Sequence, residues 1–211
     1  PENGIPVIAY DRLIMNENVD CYVSFDKFSV GVLQGQFLEE QLGLADRTAD
    51  DPAYIEFTAG DPADNNAPFF YNGAMSILQP YLDSGVLVCL SGQTDFDVVA
   101  TEQWNTDTAL DRAQTILASY YSGGEHLDAW LCSNDSTALG VTQAVTSDYT
   151  GGNTVIITGQ DGDVANLRNV LDGTQAMTVY KAVANEAVAT LDIAAAILAG
   201  DPVDQALIDG A

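Results

Sequence analysis

Residues 128–147 read DAWLCSNDSTALGVTQAVTS, and the fold class turns on that stretch. Ala129-Trp130-Leu131-Cys132 is a short run, apolar on both faces, as a strand covered by helices on each side should be. It breaks at Ser133-Asn134-Asp135, and a helical pattern follows to about residue 147. Strand, polar turn and helix in that order make the repeating unit of an α/β sheet.

The same transition recurs along the chain. Val7-Ile8-Ala9-Tyr10 runs into Asp11-Arg12, Val155-Ile156-Ile157-Thr158 leads to Gln160-Asp161, and Met177-Thr178-Val179-Tyr180 leads to Lys181. Strands are predicted at 6–10, 20–25, 53–58, 86–90, 128–132, 154–158 and 176–180. Helices are predicted near 26–42, 67–83, 106–121, 134–147, 163–172 and 182–199. Asp26 can cap the first of them and Gly43 can stop it. Pro68 near the first turn and Gly85 beyond the end frame the second. The fold class is therefore α/β, a Rossmann-like parallel sheet flanked by helices with right-handed crossovers. The loop 44–52 is expected to be polar and exposed. The loop 91–102 is longer than a strand-to-helix turn needs, which hints at a functional excursion.

Composition narrows the function. With 211 residues, 47% apolar content and 18 glycines, the chain can bury a real core in one domain or two small ones. A formal net charge of −25 argues against DNA, RNA and anionic membrane surfaces as partners. Surplus Asp and Glu on a solvated surface explain that charge without any ligand. Cys21, Cys89 and Cys132 have no metal-ligand spacing and are expected to be buried free thiols, with one disulfide left open. The longest apolar stretch, 187–199, is too short to span a bilayer and contains Asp192. The chain starts at Pro1 rather than Met, as expected where an upstream portion has been removed.

In an open α/β sheet, ligands bind in the crevice outside the carboxyl ends of the strands. Only six Lys and Arg residues are present, and Arg12 and Lys181 occupy such positions. Asp11, Arg12, Asp64, Asn65, Asn66, Asn134, Asp161 and Lys181 together suit a polyhydroxylated neutral ligand, because carboxylates and amides pair with adjacent hydroxyls while Arg and Lys donate to oxygens. A phosphate would call for more positive charge. Each Asp or Asn can equally be a helix cap or turn residue, and for Asp64 and Asn134 taken singly that reading weighs as much. Trp104 either turns its indole to the crevice, where it can stack on the C–H face of a sugar ring, or packs in the core; the pattern leaves both open.

Catalysis is the weaker reading. The single histidine, His126, precedes a strand at the edge opposite the strand carboxyl ends. No G-x-S-x-G elbow or phosphate-cradling Gly-rich loop is present. Asp161-Gly162-Asp163 resembles part of a calcium loop, but the other ligands are out of register. No catalytic residue, metal or cofactor is expected.

The segments GIPVIAYDR (4–12), YVSFD (22–26), DNNA (64–67), YLDSG (81–85), SNDSTALG (133–140), GQDGD (159–163) and GTQAMTVYK (173–181) resemble, in order, the sugar-binding proteins of bacterial ABC importers. The likeness is to the xylose-binding and multiple-sugar-binding receptors, and the motifs jointly are highly specific. The resemblance implies a type I periplasmic-binding-protein fold whose two α/β lobes close over an aldose such as xylose or glucose, without chemistry. It implies sugar contacts from Asp11, Arg12, Asp64, Asn66, Trp104, Asn134, Asp161 and Lys181. It implies ABC permease membrane subunits as partners, with a sensor kinase as a further one, no nucleic acid, and an extracytoplasmic location, periplasmic or as a surface lipoprotein anchored upstream.

Relatives of this kind carry a further segment before GIPVIAYDR and a closing segment after the region ending at Ala211. The chain then reads as the last strand of the first lobe (1–12), the second α/β lobe (13–181), and a helix and segment returning to the first lobe (182–211). Helix 182–199 would leave an apolar face that could drive dimerisation. The alternatives are a sugar-sensing effector domain of a regulator or sensor-kinase system and, behind it, a carbohydrate-active enzyme.

Overall fold

The computed structural model describes residues 4–203, so the part of the 182–211 segment beyond residue 203 lies outside the described residues. The chain falls into two compact units, one made of Pro1–Asp26 with Lys181–Ala211, the other of Lys27–Tyr180.

In the larger unit α1 (Lys27–Leu42), β3 (Ala53–Thr58), α2 (Ala67–Ser84), β4 (Leu87–Val88), a single-turn α3 (Phe96–Val99), α4 (Thr106–Tyr120), β5 (Ala129–Cys132), α5 (Asp135–Asp148), β6 (Ile156–Ile157), β7 (Gln160–Asp161), α6 (Val164–Asp172) and β8 (Val179–Tyr180) follow one another. The central sheet has the order β4-β3-β5-β6 with every neighbouring pair parallel. All four residues of β5 are buried, and they part to opposite faces as strand geometry requires. Ala129 and Leu131 join Ile55, Phe57, Leu78 and Leu38 on one side. Trp130 and Cys132 join Ile116, Leu117, Val141 and Ile157 on the other. Two-sided burial of this kind is what makes a parallel strand read as an unbroken apolar run.

Helix ends follow local chemistry. Gly43, Gly85 and Gly173 adopt left-handed φ at helix ends, where a side chain would be strained. Asn105 and Asn134 cap α4 and α5 by accepting the N–H of Thr108 and Thr137. The loop 44–52 is largely exposed, as expected, but Leu44 is buried in the core.

The smaller unit holds β1 (Ile8–Tyr10) and β2 (Cys21–Val23), paired in parallel, with α7 (Val183–Ala199) against both. The division at residues 12 and 13 expected from the sequence differs from the contacts: β2 binds β1 through its backbone ladder, so residues 13–26 belong with the strand they pair with. A cavity of about 280 Å³ between β2 and α7, lined by Tyr22, Ser24, Asp26 and Ile193 among others, contains none of the eight sequence-predicted site residues. No described helix is long and apolar enough to cross a membrane. All three cysteines are free thiols; Cys132 is buried, while Cys21 and Cys89 are half-buried.

Candidate functional site

In the larger unit the carboxyl ends of β3, β5 and β6 lie side by side, since Ser133 N–H donates to Thr58 O and the Thr158 hydroxyl to Cys132 O. Four of the eight predicted residues occupy the segments that leave these strands, and Trp104 lies in the segment between β4 and α4. Asp64 and Asn66 follow β3, and both are buried. One Asp64 oxygen accepts the Asn66 N–H at 2.9 Å and the other accepts the Trp104 indole N–H at 3.3 Å. Those bonds bring Asp64, Asn66 and Trp104 into one group.

Trp104 stands outside helix α4: it closes a 3₁₀ turn, Glu102–Trp104, two residues before it. The reason is that Gln103 and Trp104 both have left-handed φ, 55° and 53°, which an α-helix cannot continue. Nor is the indole in the core: it is half-buried, edge-on to Phe70 at 6.3 Å between centroids and packed on the Gly60 backbone.

The loop carrying Trp104 is anchored from below. Glu56, fully buried in β3, accepts from Ser91 N–H, the Ser91 hydroxyl and the Tyr121 hydroxyl at 3.0, 2.5 and 2.9 Å. Arg112 of α4 donates to Phe57 O and Gln93 Oε1, both at 2.6 Å. Burial holds the Arg112 guanidinium below its ordinary pKa, and the negative charge of Glu56 works against that. Burial also pushes the neighbouring Cys89 thiol up to about 11.

Asn134 leaves β5 and Asp161 leaves β6. The Asn134 side-chain oxygen caps α5, with Thr137 N–H and hydroxyl both 3.0 Å away. The helix-cap reading of this residue is therefore correct, and its amide nitrogen remains a donor. Asp161 sits in β7, a strand not expected from the sequence, which pairs with β8 so that Asp161 lies opposite Tyr180, the residue before Lys181. The run 160–161 is too short and polar to carry a strand signal of its own. Asp161 has φ 110°, outside the region that side chains favour.

Asp11, Arg12 and Lys181 belong to the smaller unit. Asp11 follows β1 with φ 58°. Its carbonyl accepts the Tyr22 and Ser24 hydroxyls at 3.0 and 3.1 Å, and its N–H bonds to Val23 O. Arg12 is exposed and Lys181 half-buried.

Four non-glycine residues among those described have positive φ: Asp11, Gln103, Trp104 and Asp161. Three of the four are predicted site residues. Such conformations cost about 1–3 kcal/mol each and gather at ligand-handling sites. Among the described residues no group of His, Cys, Asp or Glu is placed to hold a metal ion.

Residues 1–202 match the family described as periplasmic binding protein domain. The chain belongs to that family. It is 43% identical over 203 residues to the multiple sugar-binding periplasmic protein SbpA of Azospirillum brasilense, covering 94% of this chain and 56% of that protein. It is 36% identical over 180 residues to the D-xylose-binding periplasmic protein of Escherichia coli K12, covering 85% and 49%. A solute-binding protein of an ABC transporter from Clostridium phytofermentans, solved with β-D-glucose bound, superposes with a TM-score of 0.91 at 50% identity, covering 96% of this chain and 62% of that one. The chain thus spans about half the length of the curated relatives it matches, and its fold is that of the type I periplasmic binding proteins.

Sequence reasoning missed Glu56, Arg112, Gly60 and Asp135. Two signals were available: Glu56 interrupts an otherwise apolar strand run, and Arg112 is one of only six Lys and Arg residues and sits amid apolar helical positions.

Proposed function

We propose that this chain is part of an extracytoplasmic receptor that binds an aldose, such as glucose or xylose, for an ABC importer and performs no chemistry on it. The observation that carries the reading is Trp104. A half-exposed indole in a left-handed conformation, bonded to Asp64 and backed by Gly60, stands at the carboxyl edge of the sheet. An aromatic face meets the C–H face of a sugar ring, while buried amides and carboxylates pair with its hydroxyls. Asp64, Asn66, Asn134 and Asp161 supply such groups from the neighbouring strand ends. Asp11, Arg12 and Lys181 are the further contacts that the family resemblance assigns. The net charge of −25 favours a neutral ligand over an anionic one. The sugar-binding relatives and the glucose-bound neighbour support the same ligand class.

In the finer form of the proposal, two lobes close on the sugar and the closed form is presented to the membrane permease subunits. Isothermal calorimetry with D-glucose and D-xylose on the full-length receptor tests it. Asp161→Ala and Lys181→Ala are each expected to weaken binding at least tenfold, about 1.4 kcal/mol. Unchanged affinity in both variants overturns the assignment. The 211-residue chain alone should bind far more weakly than the full-length receptor, and equal affinities would refute the two-lobe account.

A further inference from the structure

We propose that Asp135, which need not touch the sugar, is the positioning residue that holds Asp161 in binding geometry. The inference rests on the sugar-receptor reading above. Asp135 is the first residue of α5, directly after Asn134, and is fully buried. Its Oδ2 accepts the N–H of Gly162 at 3.0 Å, the N–H of Asp163 at 2.8 Å and the Thr178 hydroxyl at 2.9 Å. Its Oδ1 accepts Gln175 Nε2 at 3.2 Å, and its carbonyl accepts Asn166 Nδ2 at 2.8 Å.

A single carboxylate therefore grips both backbone amides that follow Asp161 and a side chain on the approach to β8. Four donors converge on it, which is what a buried carboxylate needs to be tolerated. Only a glycine fits at 159: a Cβ there would lie 2.2 Å from Asp135 Oδ1. The φ of 110° at Asp161 has no support from its own side chain's preferences, so an external clamp has to hold it. Asparagine cannot replace the aspartate in full, because its NH₂ would face Gln175 Nε2, donor against donor. Gln175 cannot turn over to oblige, since its Oε1 accepts from Asn166 and its Nε2 also donates to Met177 O.

The test is a double-mutant cycle on glucose affinity in the full-length receptor. Asp135→Asn should weaken binding about tenfold, and Thr178→Val, which spares the carboxylate but removes the hydroxyl that donates to it and also accepts the Gly162 N–H at 3.2 Å, by a few fold. In an Asp161→Asn background both losses should shrink to less than about twofold, because the residue they act through is already disabled. Full additivity, or unchanged affinity in both single variants, overturns the proposal. Hydrogen exchange at the Gly162 and Asp163 amides gives a readout independent of sugar. Protection in the wild type that falls in Thr178→Val at the Asp163 amide, which bonds Asp135 and not Thr178, supports the clamp, since Gly162 also loses a direct bond to the hydroxyl; absent protection at both amides in the wild type refutes it. Should the wild type bind no sugar, the function proposed above fails, and the two amides still decide whether Asp135 clamps this loop.

Discussion

Replacing Gly60 by alanine isolates the role of Trp104. A Cβ at residue 60 would stand 2.0–2.3 Å from three atoms of the indole ring, against 3.4 Å or more for ordinary contact. The ring must retreat by more than 1 Å, because the other side of the contact is strand-edge backbone: Gly60 O accepts Thr101 N–H, and Ala59 N–H donates to Val99 O. A shift of that size stretches the bond from Trp104 to Asp64, already 3.3 Å long, and disturbs the edge-on contact with Phe70. Overpacking costs about 1–3 kcal/mol, the lost hydrogen bond about 1 kcal/mol, and the stiffer unfolded chain returns about 0.4–1 kcal/mol. The net destabilisation is about 1–4 kcal/mol, which lowers Tm by roughly 2–4 °C per kcal/mol in a chain of this size. The chain has two tryptophans, so two indole N–H signals appear in a ¹⁵N correlation spectrum. Only that of Trp104 should move, since Trp130 is buried and donates to Thr58. In the full-length receptor the displaced platform should weaken glucose binding about 3- to 10-fold, the worth of one aromatic contact. An unmoved Trp104 signal refutes the packing argument. A moved signal with unchanged affinity refutes the indole as a sugar platform.

Two further outcomes follow from the buried polar network. Glu56→Ala strips the acceptor from Ser91 and Tyr121 and leaves the half-buried Arg112 without its nearby negative charge; urea unfolding should show a loss of about 3–5 kcal/mol, and a loss below about 1 kcal/mol would contradict the network. Raising the pH should also destabilise the fold. Burial lifts Cys89 from 9.0 to about 11 and lifts Tyr71 and Tyr121 as well. The unfolded chain sheds these protons first, so the native state binds more of them above about pH 9 and stability falls from there upward. For Cys89 alone the loss reaches about 2 kcal/mol after allowing for its partial exposure. Urea midpoints that stay level between about pH 8 and pH 10.5 would refute it.

Much of the architecture was legible because it follows from periodicity. The limits of α1, α2, α4, α5, α6 and α7 fall within one residue of the expected 26–42, 67–83, 106–121, 134–147, 163–172 and 182–199. Gly43, Gly85 and Gly173 mark ends by their own conformation, so they too could be read locally. Strands were placed well but drawn too long: 86–90 shrinks to Leu87–Val88 and 154–158 to Ile156–Ile157, because apolar character extends past the last ladder bond. The misplacement of β2 came from pairing, which is non-local and leaves no mark in the run CYV itself. Trp104 escaped for a related reason. Its indole is placed by Asp64 and Gly60, residues far from it in sequence.

Helix cap and ligand contact are competing explanations for Asn134 and Asp64 only if each side chain has one job. Asn134 spends its oxygen on Thr137 and keeps its NH₂ as a donor. Asp64 divides its two oxygens between the turn at Asn66 and the indole of Trp104. Capping fixes the rotamer, so in the proposed receptor the group offered to a sugar would be oriented before the sugar arrives, and less side-chain freedom would be lost on binding. Asp135 extends the same economy to a residue removed from the ligand: it opens α5 beside the cap and immobilises the loop of Asp161 through two backbone amides. A sheet edge built from short strands has little rigidity of its own. Its precision has to come from side chains that bond to backbone, and in this chain those are the residues that end the strands and begin the helices.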